Sequence, residues 1–147
     1  KLWAPIFIGV FIGCTVGIAS TILLGVVFGA SFESIMSMAP KSVTTPIAMG
    51  ISEKMGGIAD FTAGIVVLTG IVGALIAMPL FKLFRIKKSY IQGFALGVAA
   101  HGMGTSRAFQ INGKAGAFSG LAMGLAGLVT AFLAPAIAPR LLAWLTQ

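Results

Sequence analysis

Acidic side chains are scarce in this sequence: Glu33, Glu53 and Asp60 stand against ten lysines and arginines, giving a formal charge of +7. Charged residues of both signs reach only 9%, where a soluble domain carries roughly 25%. So few charges cannot cover a water-facing surface, which excludes a soluble globular domain. Cys14 is the only cysteine and lies in an apolar run. That rules out an intramolecular disulfide and a cysteine-based metal centre, and leaves Cys14 as a small packing residue. His101 is the only histidine, and no second imidazole, thiolate or neighbouring carboxylate is at hand to complete a metal site. Ser106 near His101 lacks an acidic third member and a strand-turn-helix elbow, so the residues predict no enzyme and imply no cofactor.

What the chain has is apolar length. Hydrophobic residues make up 58% and mean hydropathy is +1.05. Between Lys1 and Glu33 lie 31 residues without a charge, and between Asp60 and Lys82 lie 21, where about 20 cross the hydrocarbon. Ala115 to Pro139 is a third charge-free run of 25 residues, with Pro135 and Pro139 expected to end or kink it. The first run is too long for a signal peptide and is followed by further membrane segments. These features predict an all-α integral membrane protein: a single transmembrane domain over 1–147 with spans at 2–32, 61–84 and 115–139. Because the chain opens on Lys1 rather than Met, it is expected to be the C-terminal part of something longer. Lys82, Arg85, Lys87 and Lys88 follow the second span as a positive-inside signal. Phe84 alone falls among them, short of the aromatic interleaving that nucleic-acid binding would require.

Two segments, 34–59 and 89–113, are interrupted. Pro40-Lys41-Ser42-Val43-Thr44-Thr45-Pro46 breaks the first, and His101-Gly102-Met103-Gly104-Thr105-Ser106-Arg107 breaks the second. Pro40 and Pro46 disfavour helix, so it is expected to resume near Ile47 with Thr44 or Thr45 as cap, presenting free N–H groups to an anion. Gly102 and Gly104 permit positive φ and close backbone approach in the second break, with Thr105 or Ser106 expected to cap a short helix running through Phe109. A basic residue at the bilayer centre costs about 2.5 to 3.5 kcal/mol, so Lys41 and Arg107 require an anionic partner, a wet cavity or a route by which they snorkel to the interface. The three acidic residues are too few, and a bound carboxylate is the natural counter-ion. His101 could carry a coupled proton or serve as a neutral hydrogen-bonding group.

A faint repeat orders these segments. Phe61-Thr62-Ala63-Gly64 with Gly70 is matched by Phe118-Ser119-Gly120 with Gly127, each after one broken segment. Internal repeats of broken and continuous helices mark secondary transporters, whose sites form where the interruptions meet. Gly9, Gly13 and Gly17, and Gly116, Gly120 and Gly124, read as small-residue stripes for helix packing. Two topologies follow. Hairpins entering and leaving on one side place Lys1, Lys82, Arg85, Lys87, Lys88 and Lys114 inside, whereas crossing segments place Lys82, Arg85, Lys87, Lys88 and Arg140 there; the count favours hairpins.

The residues 40–48, Gly56-Gly57, 100–108 and 119–127 resemble the conserved core of the LrgB/CidB family, over essentially the whole chain. The resemblance implies a multi-pass protein of the bacterial inner membrane, longer at its N-terminus and acting with a small holin-like partner of the LrgA or CidA type. It also implies one of two roles. The first is transport of small monocarboxylates such as pyruvate, lactate, glycolate or glycerate, as in a plant plastid relative. The second is antiholin-like modulation of murein hydrolase activity and autolysis. The residues favour transport, with Lys41, Ser42, Thr44, Thr45, His101, Gly102, Gly104, Thr105, Ser106 and Arg107 as the binding set and His101 as the proton-coupling candidate. A holin-type scaffold is the alternative, in a homo- or hetero-oligomer.

Overall fold

The computed structural model describes residues 3–147. Six helices follow one another: α1 (Trp3–Val27), α2 (Phe32–Met38), α3 (Thr45–Lys54), α4 (Ala59–Leu83), α5 (Ser89–Ile111) and α6 (Gly113–Leu145), with no strand among the described residues. The helices α1, α4 and α6 are long and apolar enough to cross a membrane. In lipid every backbone polar group must be satisfied within the chain, and a helix does so segment by segment. Large apolar residues such as Phe7, Phe11, Leu75, Phe132 and Trp144 are more than half exposed, as a lipid-facing surface requires.

Three helix ends share one device. After α1, Ala30 N–H donates to Gly25 and Gly29 N–H to Val26, with Gly29 at φ +66°. The same pair of bonds closes α3 at Gly56–Gly57 and α4 at Arg85–Ile86. This left-handed cap returns the orphan carbonyls of the last turn. Arg85 takes φ +54° there without the freedom of glycine. Asn112 starts α6 by accepting from Ala115 N–H at 2.8 Å.

Prolines do not end the last helix. α6 continues through Pro135 and Pro139 to Leu145, beyond the expected limit at 139. Each proline removes one backbone donor, but Ala134 and Ala138 beside them are fully buried against α1, α2 and α3 side chains. The packing of that face holds the helix together where its own ladder is thinned.

α5 is not continuous. Ala100 (φ −132°, ψ 18°) and His101 (φ +41°, ψ −127°) leave helical geometry, and the chain doubles back. A Cβ added at Gly104 would meet the Leu96 carbonyl oxygen at 2.2 Å; eight residues of straight helix would separate those positions by about 12 Å. Residues 102–111 therefore return alongside 89–99. On the other face, added Cβ atoms at Gly93 and Gly97 would lie 2.0 and 2.2 Å from the Ala115 and Ser119 oxygens. The first arm thus lies on the backbone of α6, while Phe109 against Gly116 and Thr105 against Ser119 pack the second arm on it in the opposite direction.

α2 and α3 make a similar but looser hairpin. The chain enters beside the end of α1, where Gly25 abuts Ile35, turns at 39–44, and returns so that Gly57 abuts Ser37 and Ser52. The two hairpins open toward opposite ends of the bundle. One has its mouth beside Asp60 at the start of α4, the other beside Lys82 at its end. The three carboxylates therefore gather at one end, and Lys82, Arg85, Lys87, Lys88 and Lys114 at the other.

Candidate functional site

Both hairpin tips reach the same depth. Along α1, Gly9 packs against Phe94, Gly13 against Val98, and Gly17 faces the Ser42 hydroxyl at 3.7 Å from an added Cβ. The α5 arm thus climbs α1 in register, and its tip at Ala100–His101 lies about one turn past Gly13, level with Ser42. α4 gives the same result: Gly70 and Gly73, at its middle, make room for His101 and Ala100.

The two breaks are related. Thr44 and His101, Thr62 and Ser119, and Gly70 and Gly127 are each 57 positions apart. Thr44 is the residue before α3, and His101 the residue before the second arm of α5. Thr62 is fully buried and donates to Ser52 Oγ on the preceding hairpin at 2.7 Å; Ser119, also fully buried, shares a 3.0 Å hydroxyl bond with Thr105 on its own preceding hairpin. Gly70 accommodates His101 from the second break, and Gly127 accommodates Ile47 from the first. Each continuous helix is latched to its own hairpin by a hydroxyl pair and notched by glycine for the other hairpin's tip.

At the first tip, Lys41 N–H donates to Met38 and Val43 N–H to Pro40, closing tight turns. Helix begins at Thr45, two residues before the expected Ile47, because Pro46 falls in the first turn where a missing donor costs nothing. Thr44 occupies the cap position, but its side chain makes no capping bond. Lys41, Ser42, Thr44 and Thr45 are half-buried. The Lys41 ammonium donates to the Thr21 hydroxyl of α1. It borders a groove of about 490 Å³ lined by Ser20, Thr21, Leu24, Phe28 and Met38. Among the described residues no carboxylate lines it.

The second tip differs from expectation. The positive φ falls on His101, while Gly102 and Gly104 are helical. Helix restarts at 102, so Thr105 and Ser106 are not caps; their hydroxyls donate back to the His101 and Gly102 carbonyls at 2.9 and 3.1 Å. Gly104 is needed for close approach to Leu96, not for its dihedral freedom. A histidine at φ +41° is strained by about 1 to 3 kcal/mol. Its buried ring is held by Nε2, which lies 3.0 Å from the Val66 carbonyl. Since that oxygen only accepts, Nε2 carries the proton in this arrangement.

Arg107 lies six residues beyond His101, about 9 Å along the arm toward the Lys114 end. It is half-exposed and donates to Gln110 Oε1 at 2.5 Å. The structure therefore groups Lys41 with Ser42, Thr44 and Thr45, and His101 with Gly102, Gly104 and Thr105, while Ser106 and Arg107 stand apart. Among the described residues no hydrogen bond joins the two groups. Val66 links them: its carbonyl holds His101, and its side chain belongs to the buried cluster containing Val43 and Ala48. Thr21, Ser20 and Val66 were not found from the sequence. Only a run of small and hydroxylated residues, Ala19-Ser20-Thr21, within α1 could have suggested the first two.

Three spans and two helical hairpins opening toward opposite ends define a polytopic membrane protein. The sequence profile of the LrgB-like family matches residues 1–140, and the chain belongs to that family. It is 39% identical over 135 residues to YwbG of Bacillus subtilis (strain 168), covering 92% of this chain and 60% of that protein. YxaC of the same strain is 34% identical over 137 residues, 93% of this chain and 60% of its own length. The holin-like protein CidB of Staphylococcus aureus (strain N315) is 28% identical over 132 residues, 90% of this chain and 58% of that protein. The chain thus spans about 60% of the length of these relatives. No solved structure matches it. Three apolar helices in a chain of this family make it a multi-pass bacterial membrane protein.

Proposed function

We propose that the protein is a holin-like component of the bacterial membrane that modulates murein hydrolase activity and autolysis together with a small holin-like partner. The observation that carries this reading is family membership, with staphylococcal relatives named holin-like protein CidB. Cells lacking the full-length protein should autolyse at an altered rate with an altered murein hydrolase profile. Unchanged lysis and an unchanged profile would overturn it.

One observation favours a second, more specific reading, secondary transport of a small monocarboxylate of the pyruvate, lactate, glycolate or glycerate class. Lys41 sits at a hairpin tip with a hydroxyl as its side-chain partner, in a chain whose three carboxylates cluster elsewhere. An ammonium at membrane depth is retained at a cost of several kcal/mol only where an anion or water meets it. Both hairpins are read as re-entrant from opposite membrane faces, the arrangement in which broken helices form a midplane site. A carboxylate held by Lys41, Ser42 and the first turn of α3, with His101 as proton carrier beyond Val66, would be moved as the hairpins rock. Altered autolysis would then follow from metabolite flux. Proteoliposomes holding the full-length protein, with and without its small partner, should take up labelled pyruvate or glycolate; no uptake in either case would remove this reading and leave the first.

A further inference from the structure

At the basic end of the bundle, two ammonium groups converge on one ring. Lys88 Nζ lies 6.0 Å and Lys114 Nζ 5.3 Å from the centroid of Tyr90. Both lysines are exposed, on different elements, and the three carboxylates are at the far end of α4. Both ammonium groups lie within cation–π reach of the one ring, and an anion that reaches both would offset their mutual repulsion. Directly below, Tyr90 packs on Phe118 at 5.6 Å between centroids. An apolar groove of about 300 Å³ begins there, lined by Pro5, Ile6, Tyr90, Ile91, Phe94 and Phe118. A cationic rim, an interfacial tyrosine and an apolar floor succeed one another along one line.

We propose that this groove between α1 and the mouth of the α5 hairpin binds an anionic phospholipid, its phosphate between Lys88 and Lys114 and an acyl chain along Ile6, Phe94 and Phe118. Basic rims over apolar clefts between transmembrane helices recognise lipid headgroups in this way. A free phosphate would satisfy the lysines but leave the groove empty, and a peptide segment would satisfy the groove but not the paired cations. The site lies at the opposite end of the α5 hairpin from His101, so a bound lipid would fasten the hairpin's first arm to α1.

The full-length protein in nanodiscs, read by native mass spectrometry, should retain phosphatidylglycerol over phosphatidylcholine by about 30-fold, the attraction of two near-surface lysines. Lys88→Gln with Lys114→Gln should erase that preference, whereas Lys82→Gln with Lys87→Gln should leave it. Both pairs are exposed, and elution as a single species checks that each variant folds. Three results would overturn the proposal: a preference that survives in the first variant, one that falls equally in the second, or displacement of the lipid by millimolar inorganic phosphate. Cross-linking that places the protein's own preceding segment in the groove would overturn it as well.

Discussion

Gly97 offers the sharpest test of the α5 hairpin. An alanine Cβ there would lie 2.2 Å from the Ser119 carbonyl oxygen and 2.9 Å from its carbonyl carbon and Cα. Close C–H···O contacts are about 3.3 Å or longer, so the arm must recede from α6 by about 1 Å. The obstacle is backbone, which no rotamer change can relieve. Overpacking of this kind costs about 1 to 3 kcal/mol, and losing the close backbone contact adds about 0.5 to 1. The better helix propensity of alanine returns up to about 1 kcal/mol. Gly97→Ala should therefore destabilise by about 1 to 3 kcal/mol, lowering Tm by about 2 to 10 °C for a domain of this size. Gly120 is the control, because a Cβ there meets nothing within 4 Å, and Gly120→Ala should leave Tm unchanged or slightly raised. Thermal unfolding of the two full-length variants in detergent, followed by circular dichroism, decides the matter. Equal Tm values would mean that 89–99 does not lie on the α6 backbone.

Thr62→Ala removes the donor of a fully buried hydroxyl bond and should cost about 1 to 3 kcal/mol, while Ser106→Ala, exposed and bonded only within its own helix, should stay within about 0.5; the same melts would read both. His101→Ala and His101→Gly both lose the bond to Val66, but only glycine accepts φ +41°, so the glycine variant should be the more stable by about 1 kcal/mol or more. An alanine variant at least as stable would remove the strain argument. If His101 is the proton carrier, uptake should depend on pH between about 5.5 and 7.5 and His101→Gln should flatten that dependence; an unaltered profile removes the role. Lys41→Met should abolish monocarboxylate uptake at matched membrane levels and Lys41→Arg should retain part of it, whereas full uptake by Lys41→Met would take the anion site away from this residue.

Composition and charge spacing by themselves determined that this is an all-α membrane protein with three long apolar segments, because a bilayer tolerates so few patterns of charge and apolar length. The repeat was also written in the chain: the 57-residue offset between Thr62 and Ser119 needs no coordinates to be counted. The use of the glycines was legible only in part: Gly9, Gly13 and Gly17 pack as their spacing implied, and Gly104 makes the close approach expected of it. Gly120 and Gly124 continue a regular stripe yet face open space, while Gly93, Gly97 and Gly104 carry the backbone contacts that fold α5 against itself and α6. Spacing along one helix gives a face, but which face meets another helix is set by how the chain returns. For the same reason the turn fell on His101 rather than on a neighbouring glycine: the Val66 carbonyl and the notch at Gly70 hold the ring there, and both come from α4, 35 and 31 residues away. Lys41 could be read as costly from its position alone. That it meets Thr21 of α1, and that Arg107 points to Gln110 instead of the same tip, was decided by the reversal of each hairpin, a long-range outcome that local residue preferences do not encode.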